Sequence, residues 1–311
     1  MIAPPANAAG VTFALKPISA GKAGYFVFTA KPGTTIRSEV RVLNVGTKAG
    51  RASLYAVDAT TGQTSGAVYR SRQEPRRDAG AWISFAQPTV SLAPGQSQIV
   101  PFSVRIPSQG SPGQHLGGIV AQPSTFTSST SVKKAKHSFR VNIRALSVIA
   151  VQVNLPGPQV VRMSLTGIRA GVQPGHQTLL LGMRSRGNIL VKCRGSLLVV
   201  NQSGRGVQGR QFNLDTFVPH TRIDYPVYVR GKVLQPGSYS GTVTLTCRGH
   251  RLSRTFPFRI SAAQVKQIFG SPGAQTPSKS SSNTLLLILA ATALVLLSVG
   301  ATALYFRRKR V

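Results

Sequence analysis

The chain has 311 residues, with 38 Lys and Arg against 6 Asp and Glu, a formal net charge of +32; 41% of residues are hydrophobic and only 14% charged. That apolar content supports cores for two ordinary domains and excludes a charge-rich disordered chain. Six acids and five scattered histidines leave few paired carboxylates and no H-x-x-x-H pair, so neither enzyme chemistry nor a metal or other cofactor is expected.

Residues 1–10, "MIAPPANAAG", have no basic n-region and no apolar core, but Ala6–Ala8 form an A-x-A-like cleavage pattern. We read them as the remnant of a signal-peptide region whose precursor starts upstream. Residues 11–154 then alternate in short strands with turn signals between them. "YFVFTA" is an apolar strand, and in "RSEVRVLNVG" Val40 and Val42 alternate with Glu39 and Arg41 before a turn at Asn44–Gly46. "RASLYAVDA", "AWISF" and "TVSL" read as further strands. In "SQIVPFSVRIP", Val100, Phe102, Val104 and Ile106 make an inner face, with Ser103 and Arg105 outward. Ser124–Lys136 reads as a loop or hairpin tip, and "HSFRVNIRALSVIAVQVNL" closes the domain.

"PGPQ" at Pro156–Gln159 marks the boundary, and residues 155–264 repeat the pattern with strands such as "HQTLLLGMRSRG", "ILVKCRGSLLVVN" and "GSYSGTVTLTC". Each half has a Pro-Gly turn that launches a strand, "SPGQHLGGIVAQ" and "QPGSYSGTVTLT", 124 residues apart. No segment before the last has a convincing helical period. The fold class is therefore all-β: two tandem Ig-like β-sandwiches plus one C-terminal transmembrane helix.

Residues 265–284 read as a serine-rich linker to the membrane. Leu285 to Phe306 is uncharged over 22 residues. At about 1.5 Å per residue it spans roughly 33 Å, enough for a bilayer core. Arg307, Arg308, Lys309 and Arg310 follow in the tail 307–311, so the positive-inside rule places the C-terminus in the cytoplasm and both domains outside a plasma membrane crossed once.

Two groups of basic residues lie in expected loops, where binding residues concentrate. Arg70, Arg72, Arg76 and Arg77 form the first, with Glu74 and Asp78 interleaved; Lys133, Lys134 and Lys136 form the second. Guanidinium forks suit phosphates and carboxylates. Cys193 and Cys247 both alternate onto inner strand faces, on strands that could belong to opposing sheets. On an oxidising exterior they are expected to bond, the alternative being two buried thiols.

The order of "VLNVG", "YAVDATTGQTSGAVY", "AWISF", "VSLAPGQSQIVPFSVRIP" and "SPGQHLGGIVAQ" resembles that of WxL-interacting proteins, surface proteins of Gram-positive bacteria. "VPHTRIDYPVYVRG" and "LQPGSYSGTVTLT" resemble the second domain of that family more loosely. The resemblance implies a peptidoglycan-binding first domain, a second domain that binds a host or partner protein, a membrane helix and no catalytic residues. It implies peptidoglycan as one partner and a WxL-domain or other surface protein as the second, and the positive charge adds attraction to an anionic cell-wall polymer. The rival reading is a structural accessory subunit of a surface complex that binds no glycan. Nucleic acid is attracted by the charge alone, and the exterior location argues against it as a partner.

Overall fold

The computed structural model describes residues 10–18, 24–126, 128–134, 137–173 and 175–269. The expected membrane helix, Leu285 to Phe306, and the basic tail lie outside the described residues, as do residues 1–9 and Lys136. Among the described residues no helix is long and apolar enough to cross a membrane.

The protein is all-β. The first sandwich begins with β1 (Phe13–Pro17), β2 (Phe26–Thr29), β3 (Thr35–Asn44), β4 (Gly50–Thr61) and β5 (Ala67–Tyr69). One helical turn follows, α1 (Ala79–Trp82), which runs directly into β6 (Ile83–Phe85). Then come β7 (Thr89–Leu92), β8 (Ser97–Arg105), β9 (Gly113–Pro123), the hairpin β10 (Ser128–Lys134) and β11 (His137–Ile143), and β12 (Ser147–Leu155). One sheet has the order β1-β3-β8-β6; the other runs β2-β12-β9-β4-β5, with β7 also on β4. Period-2 patterning supplies the core: Val40, Val42, Val100, Phe102 and Val104 from one sheet meet Leu54, Ile119, Val151 and Val153 from the other. "AWISF" was expected as one strand. Its first two residues instead complete α1, a segment too short for any helical period to show.

The second sandwich comprises β13 (Met163–Gln173), β14 (His176–Ser185), β15 (Val191–Asn201), β16 (Gly206–Phe217), β17 (Arg222–Tyr228), β18 (Gly237–Cys247) and β19 (His250–Ile260). Its sheets have the orders β13-β14-β17 and β16-β15-β18-β19. The first matches β1-β3-β8, and the path β15-β18-β19 matches β4-β9-β12. The two Pro-Gly turns thus launch equivalent central strands, β9 and β18.

Cys193 and Cys247 form a disulfide, and both are buried in the second core. They do not bridge opposing sheets. They face each other directly on β15 and β18, with Cα atoms 4.3 Å apart, the close spacing of a non-hydrogen-bonded antiparallel pair.

A linker was expected from residue 265. The chain instead forms α2 (Ala262–Phe269), and its Ile268 is buried. Ser261 and Gln264 make a capping box. The Ser261 N–H donates to Gln264 Oε1 at 2.9 Å, and the Gln264 N–H donates to Ser261 Oγ at 3.2 Å.

The two sandwiches are joined by more than the chain. Ala59 and Leu116 pack with Val218 and Leu190 in a small apolar cluster. The Val218 N–H donates to Thr61 Oγ1 at 2.8 Å, and Asn188 Nδ2 donates to the Pro112 carbonyl at 2.9 Å. Gly113 sits at this joint with φ of +131°, and a Cβ there would meet the Asn188 carbonyl at 2.3 Å. The first Pro-Gly turn therefore sets the domain joint as well as the strand, and it tolerates only glycine.

Candidate functional site

A groove of about 490 Å³ lies on the outer face of the large sheet of the first sandwich. Strand register builds its floor. Tyr55 on β4 faces Val120 on β9, and Val120 faces Val148 on β12. Alternation turns Leu54 and Ala56 into the core and Tyr55 outward. Tyr55 donates its hydroxyl to Gln122 Oε1 at 3.0 Å. Tyr69 closes one end. Its ring passes over Gly118, where a Cβ would stand 2.7 Å from ring carbons, so this glycine makes room for the aromatic wall.

Arginines form the rim. Arg72 lies over the Tyr55 ring with its guanidinium carbon 4.6 Å from the centroid. Arg144 enters from the segment between β11 and β12, stacks on Phe126 at 4.9 Å and keeps a buried Nε without a hydrogen-bond partner. Burial pushes the Tyr55 hydroxyl up in pKa, while the charges of Arg72 and Arg144 pull it down. Arg70 is held by Glu74 at 2.6 Å. The Ser71 N–H and Arg70 together hold the Glu74 carboxyl below its ordinary value. Arg72 and Arg144 are therefore the cations of the groove without a carboxylate.

The basic group read from the sequence divides here. Arg70 and Arg72 line the groove, but Arg76 and Arg77 do not. Arg76 Nη1 donates to the Gly80 carbonyl at 3.4 Å, and the Arg77 N–H donates to Asp58. Among the described residues Asp78 pairs with no arginine; it binds His115. Lys133 and Lys134 are not in a loop. They end strand β10, opposite Ser138 and His137 of β11, and this hairpin leads into Arg144. Sequence reasoning missed Tyr55, Tyr69, Gln122 and Arg144. The period-2 pattern of β4 marks Tyr55 as outward; Arg144 had no local signal.

A polar anchor behind the rim fixes this loop. The buried Asp58 carboxylate accepts the N–H groups of Arg77 at 2.5 Å, Asp78 at 3.0 Å and Gly80 at 2.8 Å. Asp78 Oδ1 lies 2.6 Å from His115 Nδ1, while His115 Nε2 lies 2.9 Å from the Ser111 carbonyl. Both ring nitrogens thus face acceptors, which only the imidazolium can satisfy. Burial opposes that charge, but Asp78 and the Ser111 carbonyl outweigh it and the pKa is raised above 6.5. The His115 ring also packs on Trp82, centroids 4.7 Å apart.

A raised folded-state pKa contributes stability that is fully present below 6.5 and is lost as pH rises through the folded value. Thermal melts of the full chain should therefore show stability falling with pH above 6.5. His115→Gln should flatten that slope. An identical slope in the variant would refute the assignment.

The elements from β2 to β9 fall within one recognisable unit. Residues 17–123 match the family model of the WxL interacting protein, peptidoglycan binding domain. The match covers Tyr55, Tyr69, Arg72 and Gln122 of the groove and stops short of Arg144. No curated protein matches the chain. Among solved structures, a chain from a chaperone–tip adhesin complex of CFA/I fimbriae is similar at 11% identity and TM-score 0.37, covering 79% of this chain and 98% of that one. The Escherichia coli chaperone DraB is similar at 15% identity and TM-score 0.34, over 80% and 98% of the two chains. The CsuC–CsuE chaperone–tip adhesion subunit complex of Acinetobacter baumannii gives 10% identity and TM-score 0.35, over 79% and 98%. The matched family is a binding domain, and the matched residues carry most of the groove, with Arg144, Leu146 and Val148 beyond them.

Proposed function

We propose that the protein is a membrane-anchored cell-surface binder. Its first sandwich engages peptidoglycan through the Tyr55–Arg72–Arg144 groove. Its second sandwich presents a surface to a protein partner, and residues 285–306 hold the chain in the membrane with both domains outside. One observation carries the groove assignment: aromatic walls and unneutralised guanidiniums converge on the outer face of the unit that matches the peptidoglycan-binding family.

The chemistry fits a glycan with peptide stems. Tyr55 and Tyr69 offer flat amphipathic surfaces to sugar rings. Arg72 and Arg144 offer forked donors to carboxylates of the stems. Gln122 adds an amide that can bridge to a hydroxyl or peptide group.

Co-sedimentation of the full chain, in neutral detergent, with isolated sacculi tests the assignment. Binding is expected, and Arg72→Ala with Arg144→Ala should weaken it by about tenfold or more, since two charge-assisted contacts go at once. Binding by wild type and variant alike, or by neither, would remove the groove from the account.

A further inference from the structure

The outer face of β16-β15-β18-β19, in the second sandwich, has a different chemistry from the groove. Across one row, register aligns Asn213, Arg194, Thr246 and Arg251. Arg194 and Arg251 therefore flank Thr246 on one face, two strands apart, roughly 10 Å between Cα atoms. Arg248 lies just past the end of β18, in a shallow hollow shared with Arg194, Thr246 and the paired Lys192 and Asp215. The next rows carry hydroxyls. Thr244 bonds Ser253 at 2.9 Å, and Thr242 bonds Thr255 at 2.8 Å.

Acids are nearly missing from this domain. Its two carboxylates, Asp215 and Asp224, are already paired, with Lys192 at 2.8 Å and Arg169 at 2.7 Å. Among the described residues no carboxylate pairs with Arg194, Arg248 or Arg251. Three cations are thus left unneutralised at one end of a flat hydroxyl field.

We propose that this face binds an anionic, hydroxyl-rich polymer, with phosphate or carboxylate on the arginines and polyol or sugar hydroxyls on the Thr–Ser rows. Guanidinium forks take either anion bidentately, and the hydroxyl rows both donate and accept. Other occupants fit less well. A protein interface wants an apolar centre, and Leu198 is the large hydrophobic exposed on this face. Single-stranded nucleic acid wants aromatic platforms for its bases, and the outward positions of these four strands, among the described residues, carry no ring.

The test uses the full chain with three probes of similar charge: oligo(glycerol phosphate), oligogalacturonate and a single-stranded oligonucleotide. Binding to at least one of the first two is expected, weakening with salt. Arg194→Gln with Arg251→Gln should reduce it by about tenfold or more. Thr246→Glu, which sets a carboxylate between the two arginines, should do the same without removing a cation. Arg205→Gln with Arg222→Gln removes the same charge elsewhere and should change binding by less than about twofold. Equal losses in both double variants would reduce the site to diffuse charge and overturn it. So would failure of both polyol and uronate probes, or an oligonucleotide bound more tightly through the same arginines. None of these outcomes touches the groove of the first sandwich, because sacculus binding by the Arg72 and Arg144 variant reads that site separately.

Discussion

Asp58→Ala is expected to destabilise the first sandwich by about 3–5 kcal/mol, because a buried carboxylate with three backbone donors is removed and the donors are left without a partner. The three N–H groups belong to Arg77, Asp78 and Gly80, which link the arginine loop to α1. Water cannot easily replace the acceptor, since Asp58 is itself buried. Trp82 is the sole tryptophan of the chain and ends α1, two residues from one of these donors. Its fluorescence therefore reports this region alone. In a urea titration the Trp82 transition should move down by about 1 M or more. Asp58→Asn should fall between, because an amide keeps one acceptor and points an NH2 at the remaining donors. A midpoint within experimental scatter of wild type would show that the anchor is not needed. The same variant should loosen Arg70 and Arg72 at the groove rim, so sacculus binding should fall with it.

Cys193→Ala with Cys247→Ala is expected to lower the stability of the second sandwich by on the order of 4 kcal/mol in the chain-entropy view, since the bond closes a loop of 54 residues. For a domain of this size that corresponds to a melting temperature lower by on the order of 15 °C. The bond joins neighbouring strands of one sheet, so it does not hold the two sheets together; the apolar core does that. The effect should therefore appear as lower stability with the same fold. Calorimetry of the full chain, with and without reductant, reads it directly. A reduced protein melting where the oxidised one does would contradict the entropic account.

Strand content was legible because alternation is a local property. Val100, Phe102 and Val104 point inward for the same reason that Ser103 points out, and this needs no knowledge of the partner strand. The turn at "VLNVG" was also legible. In the fold Asn44 holds it, donating from Nδ2 to the Leu92 and Lys48 carbonyls and accepting the Gly46 N–H. Helix α2 had a readable start in "SAAQ", a capping box followed by Val265 and Ile268 at helical spacing, and composition hid it under the linker.

What register decides could not be read. Cys193 and Cys247 each alternate inward, but only the pairing of β15 with β18 makes them neighbours. Arg144 is 72 residues from Arg72 and meets it through the row Tyr55–Val120–Val148, which depends on three strands lying in the order β4-β9-β12. The loop arginines looked like one cluster because they are close in sequence. The Asp58 anchor divides them, holding the chain at Arg77 and leaving Arg70 and Arg72 at the groove.

Hydrogen–deuterium exchange of the full chain with soluble peptidoglycan fragments tests the central claim most directly. Ligand should protect peptides carrying Tyr55, Tyr69 to Gln73, Gln122 and Arg144 to Val148. Protection confined to other surfaces, or none at saturating ligand, would contradict the assignment of the groove as the peptidoglycan site.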